Sequence, residues 1–250
     1  MPDILAQLWL VPGLIWLLLA IGVAGLVRGF TGFGTALVFV PVAGIFLPPT
    51  TIVAAMAMTG MVSTFALIPR AWGQASRAEV GYLVFAALLT VPVGLLLLDW
   101  LDALTIRWLV ATIAAGTLCM LAAGWRFSGY VSRPGLLGIG ALAGIVGGMT
   151  GMTGPVVILF YLAGQAAAQT VRANTILFLA VLDFAIAGNL FIRGSIGMDE
   201  VILAAALAVP YFTTTMIGQS LFSPNRERIY RALAYTVIGL AVVTGLPIWE

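Results

Sequence analysis

Histidine and lysine are both absent from these 250 residues. Without them the chain has no imidazole base, no His-Glu-x-x-His zinc site and no lysine Schiff base, which removes the commonest enzymatic chemistries. The single cysteine, Cys119, lies within an apolar run. It excludes an intrachain disulfide or a cysteine metal cluster and is expected to be a small packing residue. Charge is scarce as well: 8% of residues are charged and the net charge is +2. The arginines sit in short segments rather than in one patch, so nothing points to nucleic acid as a partner. No cofactor is expected.

What fills the chain instead is apolar surface, 62% of residues, more than a soluble core can hide. Uncharged runs cover Leu8–Val27, Gly29–Pro69, Val80–Leu98, Trp108–Trp125, Pro134–Val171, Val201–Asn225 and Ala232–Trp249. Runs of about 18 apolar residues read as membrane spans, so the expected class is an all-α integral membrane protein with the lipid bilayer as its surroundings. The first run is expected to be retained, because the residues before it carry only Asp3 and no basic stretch of the secretory type.

The chain repeats itself. A shift of 119 residues lays Gly25, Gly29, Thr31 and Gly32 on Gly144, Gly148, Thr150 and Gly151. Further on, Glu79-Val80 aligns with Glu200-Val201 and Arg107 with Arg231. Two repeats are therefore expected, at residues 1–128 and 129–250. Each holds a glycine-interrupted stretch, about 9–47 and 134–166, and then three spans, about 51–69, 80–98 and 108–125 and then 173–192, 201–221 and 232–249. Glycine opens the helix at Gly29 to Gly34 and at Gly147 to Gly154. The alternative is a small-residue face for close helix packing. Gly154-Pro155 reads as a helix start, since proline is favoured at the first helical position. The preceding helix, Pro134 to Gly147, would then span roughly 21 Å, too short to cross a core of about 30 Å.

Arginine placement selects the topology. If each interrupted stretch crossed the membrane, five loop arginines would face each side. If each enters and leaves on one side as a re-entrant hairpin, Arg70, Arg77, Arg126, Arg133, Arg172, Arg226, Arg228 and Arg231 gather together, and only Arg107 and Arg193 lie opposite. The second arrangement has the bias expected of a membrane protein, with both termini outside the cytoplasm. Three full crossings per half then make the second repeat inverted relative to the first. Trp72, Trp100, Trp108, Trp125 and Trp249 fall near span ends, as interfacial anchors do.

A re-entrant tip offers free backbone N–H groups and the positive end of a half-helix, which suits a small anionic substrate. Arg28 stands beside the first tip, and its forked guanidinium can bind an oxyanion through two hydrogen bonds. Alternatively it extends its head to the interface. Thr31 and Thr150 can donate hydroxyls, with Thr153 in the second tip, while Gly32, Gly34, Gly151 and Gly154 let the backbone approach. Asp183 is the lone carboxylate inside a span, a proton-coupling candidate or a structural partner for Arg28. Asn189, Gln219 and Thr213 to Thr215 are weaker intramembrane polar signals. Met56, Met58 and Met61 read as packing.

Gly29-Phe30-Thr31-Gly32-Phe33-Gly34 with Pro41, and Gly148-Met149-Thr150-Gly151-Met152-Thr153-Gly154-Pro155 with Tyr161-Leu162 and Val171-Arg172-Ala173, resemble the two signatures of the sulfite exporter TauE/SafE family. The resemblance covers nearly the whole chain. It implies export or import of sulfite, sulfonates or related anions across a prokaryotic inner membrane. The expected function is a non-enzymatic secondary transporter of sulfite or an organosulfonate, with ion-coupled export as the leading mode and proton coupling as a candidate. The competing reading is a passive anion or small-solute channel built on two half-helices, although no Asn-Pro-Ala tripeptide is present.

Overall fold

The computed structural model describes residues 8–124, 132–163, 168–221 and 227–248, and among them regular structure is helical throughout. Arg126, Arg226, Trp125, Trp249, Asp3 and Glu250 lie outside the described residues, as do the side chains of Arg70, Leu162, Arg228 and Arg231. Among the described residues these helices follow one another: α1 (Leu14–Thr31), α2 (Thr35–Ala43), α3 (Pro49–Trp72), α4 (Arg77–Trp100), α5 (Ala103–Ala122), α6 (Arg133–Thr150), α7 (Gly154–Ala163), α8 (Ala168–Ile192), α9 (Met198–Leu221) and α10 (Glu227–Gly245). Five of the described segments are long and apolar enough to cross a membrane.

Their surface is the reverse of a soluble protein's. Trp100 is 81% exposed and Ile192 86%, whereas Arg28 and Asp183 are 5% and 8% exposed. Apolar side chains face outward toward lipid, and these two charged ones are held inside the helical body. These features make the chain a multi-pass membrane protein.

Glycine permits the closest helix contacts. On α1, a Cβ at Gly29 would lie 2.7 Å from Gly218 Cα of α9, and on α6 one at Gly148 would lie 3.2 Å from Gly94 Cα of α4. Backbones this close gain dispersion and Cα–H contacts that larger side chains would block. The two contacts correspond under the sequence repeat, with the halves exchanged. Thr90 and Thr214 correspond in the same way, the first hydroxyl against Gly144 and the second against Gly25.

The same contacts give helix directions. Along α1 and α9, Gly25 meets Tyr211 and Thr214, and Gly29 meets Thr215 and Gly218, so these helices run parallel. Along α6 and α4, Gly140, Gly144 and Gly148 meet Leu83, Ala87 and Val91 in turn, again parallel. α3 and α8 are antiparallel: Gly60 meets Asp183, while Ser76 just beyond α3 donates its N–H to Asn174 Oδ1 near the start of α8. Where α1 begins, a Cβ on Gly13 would strike the Phe46 ring just after α2.

The long helices start a few residues before the predicted spans, and capping explains the five-residue shift at the start of α5. Asp102 accepts from Thr105 N–H at 2.9 Å and Thr105 Oγ1 at 2.7 Å, so α5 begins at Ala103 rather than near Trp108. The Thr105 hydroxyl and amide hold the Asp102 carboxyl below the usual carboxylate range.

One expectation is corrected. The helix predicted to stop at Gly147, too short to cross, continues through Gly147 and Gly148 to Thr150, giving 18 residues or about 27 Å. Glycine disfavours a helix by about 1 kcal/mol per residue. At Gly148 the close approach of Val91, Gly94 and Leu95 on α4 offsets that cost. The break lies one turn later, and α7 begins at Gly154.

Candidate functional site

The two breaks are built alike. α1 ends on Gly32 at φ 80°, whose N–H donates to Arg28 O, and α6 ends on Gly151 at φ 74°, whose N–H donates to Gly147 O. Both glycines occupy the left-handed region that other residues enter only with strain. Beside each, a threonine hydroxyl closes the turn. Thr31 Oγ1 donates to Val27 O at 2.8 Å and accepts from Phe33 N–H, and Thr150 Oγ1 donates to Val146 O at 2.7 Å and accepts from Met152 N–H. The chain then turns into α2 after Gly34, at φ 98°, and into α7 at Gly154.

Both helix starts open on one small cavity, of about 20 Å³. Gly34, Thr35, Ala36 and Leu37 line it from the first break, and Thr153, Gly154 and Pro155 from the second. A Cβ on Gly154 would meet no atom within 4 Å, so the backbone there faces open space. Unpaired N–H groups in the first turn of each helix give this wall a positive potential.

Arg28, from the last turn of α1, lines the same space. Its Nε and Nη2 are buried and have no hydrogen-bond partner among the described residues. Its alternative placement, with the head at the interface, does not hold: the side chain is 5% exposed. A buried guanidinium with open donors strongly favours an anion beside it. Asp183 lines the cavity from α8, close enough to feel the charge of Arg28, and its carboxylate rests against Gly60, where a Cβ would collide with it.

Of the residues singled out from sequence, Arg28, Gly34, Thr153, Gly154 and Asp183 meet at this cavity. Thr31, Gly32, Thr150 and Gly151 are not among its lining residues. Gly32 abuts the Arg172 side chain, which donates from Nη2 to Gly29 O at 3.2 Å, and Gly151 abuts Val53 of α3. Thr150 borders a second cavity with Arg107, Pro41 and Val53. Tyr211, Thr35 and Gly60 were not anticipated, and Met56, read as packing, also lines the cavity. The Tyr211 hydroxyl, on α9, lies 3.1 Å from Thr35 Oγ1 at the start of α2, and the side chain is fully buried. A tyrosine within an apolar run was the one available signal, since its hydroxyl needs a buried partner.

Fold and cavity together define a polytopic membrane protein with a small cavity between two interrupted helices, lined by a buried arginine. The chain matches the family Sulfite exporter TauE/SafE over residues 17–244, and it belongs to that family of membrane transporters. Comparison with curated proteins and with solved structures gives no match.

Proposed function

We propose that this chain is a secondary transporter that carries a small sulfur oxyanion, sulfite or an organosulfonate, across the prokaryotic inner membrane by ion-coupled export. The anion is held between the two helix breaks by Arg28, with Gly34, Thr153 and Gly154 bringing backbone to it. Thr31, Gly32, Thr150 and Gly151 shape the breaks, and Asp183 carries the coupling proton. The observation that carries this reading is the buried Arg28 guanidinium with two open donors in a cavity shared by both breaks.

Residues 1–128 and 129–250 act as two inverted repeats. Helix direction supports this: α1 and α9 are parallel, α4 and α6 are parallel, and α3 and α8 are antiparallel. Two repeats of the same orientation would make α3 and α8 parallel. Contact of Gly13 with Phe46 supports a first hairpin that enters and leaves on one side, as does Arg107, at the start of α5, lying 3.6 Å from a Cβ on Gly44. The arginine bias then assigns both termini to the non-cytoplasmic face.

Flux of sulfite into liposomes containing the purified chain, with and without an imposed pH gradient, tests the transport mode. The gradient is expected to accelerate flux and to drive sulfite above its external concentration. Flux that only dissipates the sulfite gradient, whatever the pH difference, would replace this reading with a passive pore.

A further inference from the structure

We infer that the substrate's charge sets the number of protons bound with it: a doubly charged anion occupies the cavity together with one proton on Asp183, and a singly charged anion occupies it with none. The inference rests on the anion-transport reading of the same cavity and adds a stoichiometry to it.

Charge balance within the cavity sets this stoichiometry. Arg28 contributes one positive charge. The starts of α2 and α7, helices of 9 and 10 residues that both open on the cavity, contribute about half an elementary charge each. Beside these helix ends Arg28 lines the same space, 5% exposed and with Nε and Nη2 lacking a hydrogen-bond partner among the described residues. The opposite ends of α1 and α6 carry the reverse partial charge, but they do not line the cavity and the N–H groups of Gly32 and Gly151 cap them, so the fixed positive complement facing the cavity is about two charges.

Two negative charges balance it. With Asp183 ionised, its carboxylate supplies one and a monoanion such as an alkyl sulfonate supplies the other. With a dianion such as fully ionised sulfite, the ligand supplies both, and an ionised Asp183 would leave a third, uncompensated negative charge inside the membrane. That surplus is costly in a medium without water, and a proton taken from solvent onto the carboxylate removes it.

Among the described residues, the surroundings of Asp183 leave little else to absorb the difference. α1 presents Arg28 and α9 presents the Tyr211 phenol. α2, α3 and α7 present Thr35, Gly60 and Thr153, none of which changes charge near neutral pH. α4 and α6, which also pack on α8, put no residue into the cavity lining.

Calorimetric titration of the purified full chain in two buffers of different protonation enthalpy counts the protons. The probes are sulfite, at an alkaline pH where the free ion is doubly charged, and methanesulfonate at the same pH. Sulfite is expected to bind with about one proton and methanesulfonate with about none, on the charge complement above. In Asp183→Asn the sulfite-linked proton is expected to vanish, and the affinity ratio of sulfite to methanesulfonate to rise about tenfold, a usual size for coupled sites. Equal proton counts for the two anions in the wild-type chain would overturn the inference while leaving anion binding intact. A sulfite-linked proton that survives in Asp183→Asn rides on the anion, and would overturn the assignment to Asp183. Binding of neither anion by the folded wild-type chain would remove the site itself, and the inference with it.

Discussion

Arg28 and Tyr211 show how the same polar chemistry differs in legibility from residue to residue. An arginine beside a glycine cluster announces itself in an apolar sequence, because a membrane interior tolerates a charge only with a purpose. Tyr211 sits 183 residues away on another helix, and only folding brings its hydroxyl to Thr35 at the start of α2. There it holds a polar group at the wall where an anion would rest. Tyr211→Phe removes that hydroxyl and leaves the Thr35 oxygen short of a partner. Sulfite affinity is expected to fall about fivefold, the worth of one hydrogen bond of about 1 kcal/mol. An unchanged dissociation constant in the folded variant would exclude the hydroxyl from the binding wall.

At the scale of elements, glycine does two jobs that look identical in the sequence. Gly32, Gly34 and Gly151 carry positive φ and make the breaks. Gly29 and Gly148 stay helical and let α1 and α6 lie against α9 and α4. Both readings of the clusters were available from sequence, and each proves right for different glycines. Helix positions were largely legible, since long apolar runs and Gly154-Pro155 fix them locally. The helical course through Gly148 was not, because it depends on contacts with Val91 to Leu95, more than fifty residues away. The hydroxyls of Thr31 and Thr150 were expected at the ligand for the same reason: sequence shows a hydroxyl in a tip but not that the turn already uses it. The division of labour has a test in Gly148→Val. Its side chain would press on Val91 O and Gly94 Cα, separating α6 from α4 without touching the cavity lining. Overpacking of this kind costs about 1–3 kcal/mol, so the thermal midpoint of the detergent-solubilised protein is expected to drop by several degrees. A midpoint equal to that of the wild type would show that the contact is looser than the structure describes.

For the whole molecule, the directions of α3 and α8 bear on topology independently of arginine counting. The turn after α3 and the turn after α8 are expected on opposite membrane faces. Gln74→Cys and Ser195→Cys, each in a Cys119→Ala background, place one thiol in each turn. In intact cells an impermeant maleimide is expected to label Ser195→Cys from the periplasmic side and Gln74→Cys only after lysis. Labelling of both from one side would reject the inverted arrangement.

The central claim is that Arg28 holds the substrate anion, and titration of sulfite into purified wild-type, Arg28→Lys and Arg28→Ala proteins tests it most directly. Two helix starts at about half a charge each compensate an oxyanion only in part, and the guanidinium supplies the remainder through its planar fork. Lysine keeps the charge and loses the fork. Affinity is expected to fall in the order wild type, Arg28→Lys, Arg28→Ala, with Arg28→Ala weaker by about a hundredfold, as for loss of a buried charge-assisted pair of about 3 kcal/mol. A folded Arg28→Ala protein that binds sulfite as tightly as the wild type would contradict the account and move the anion site elsewhere in the molecule.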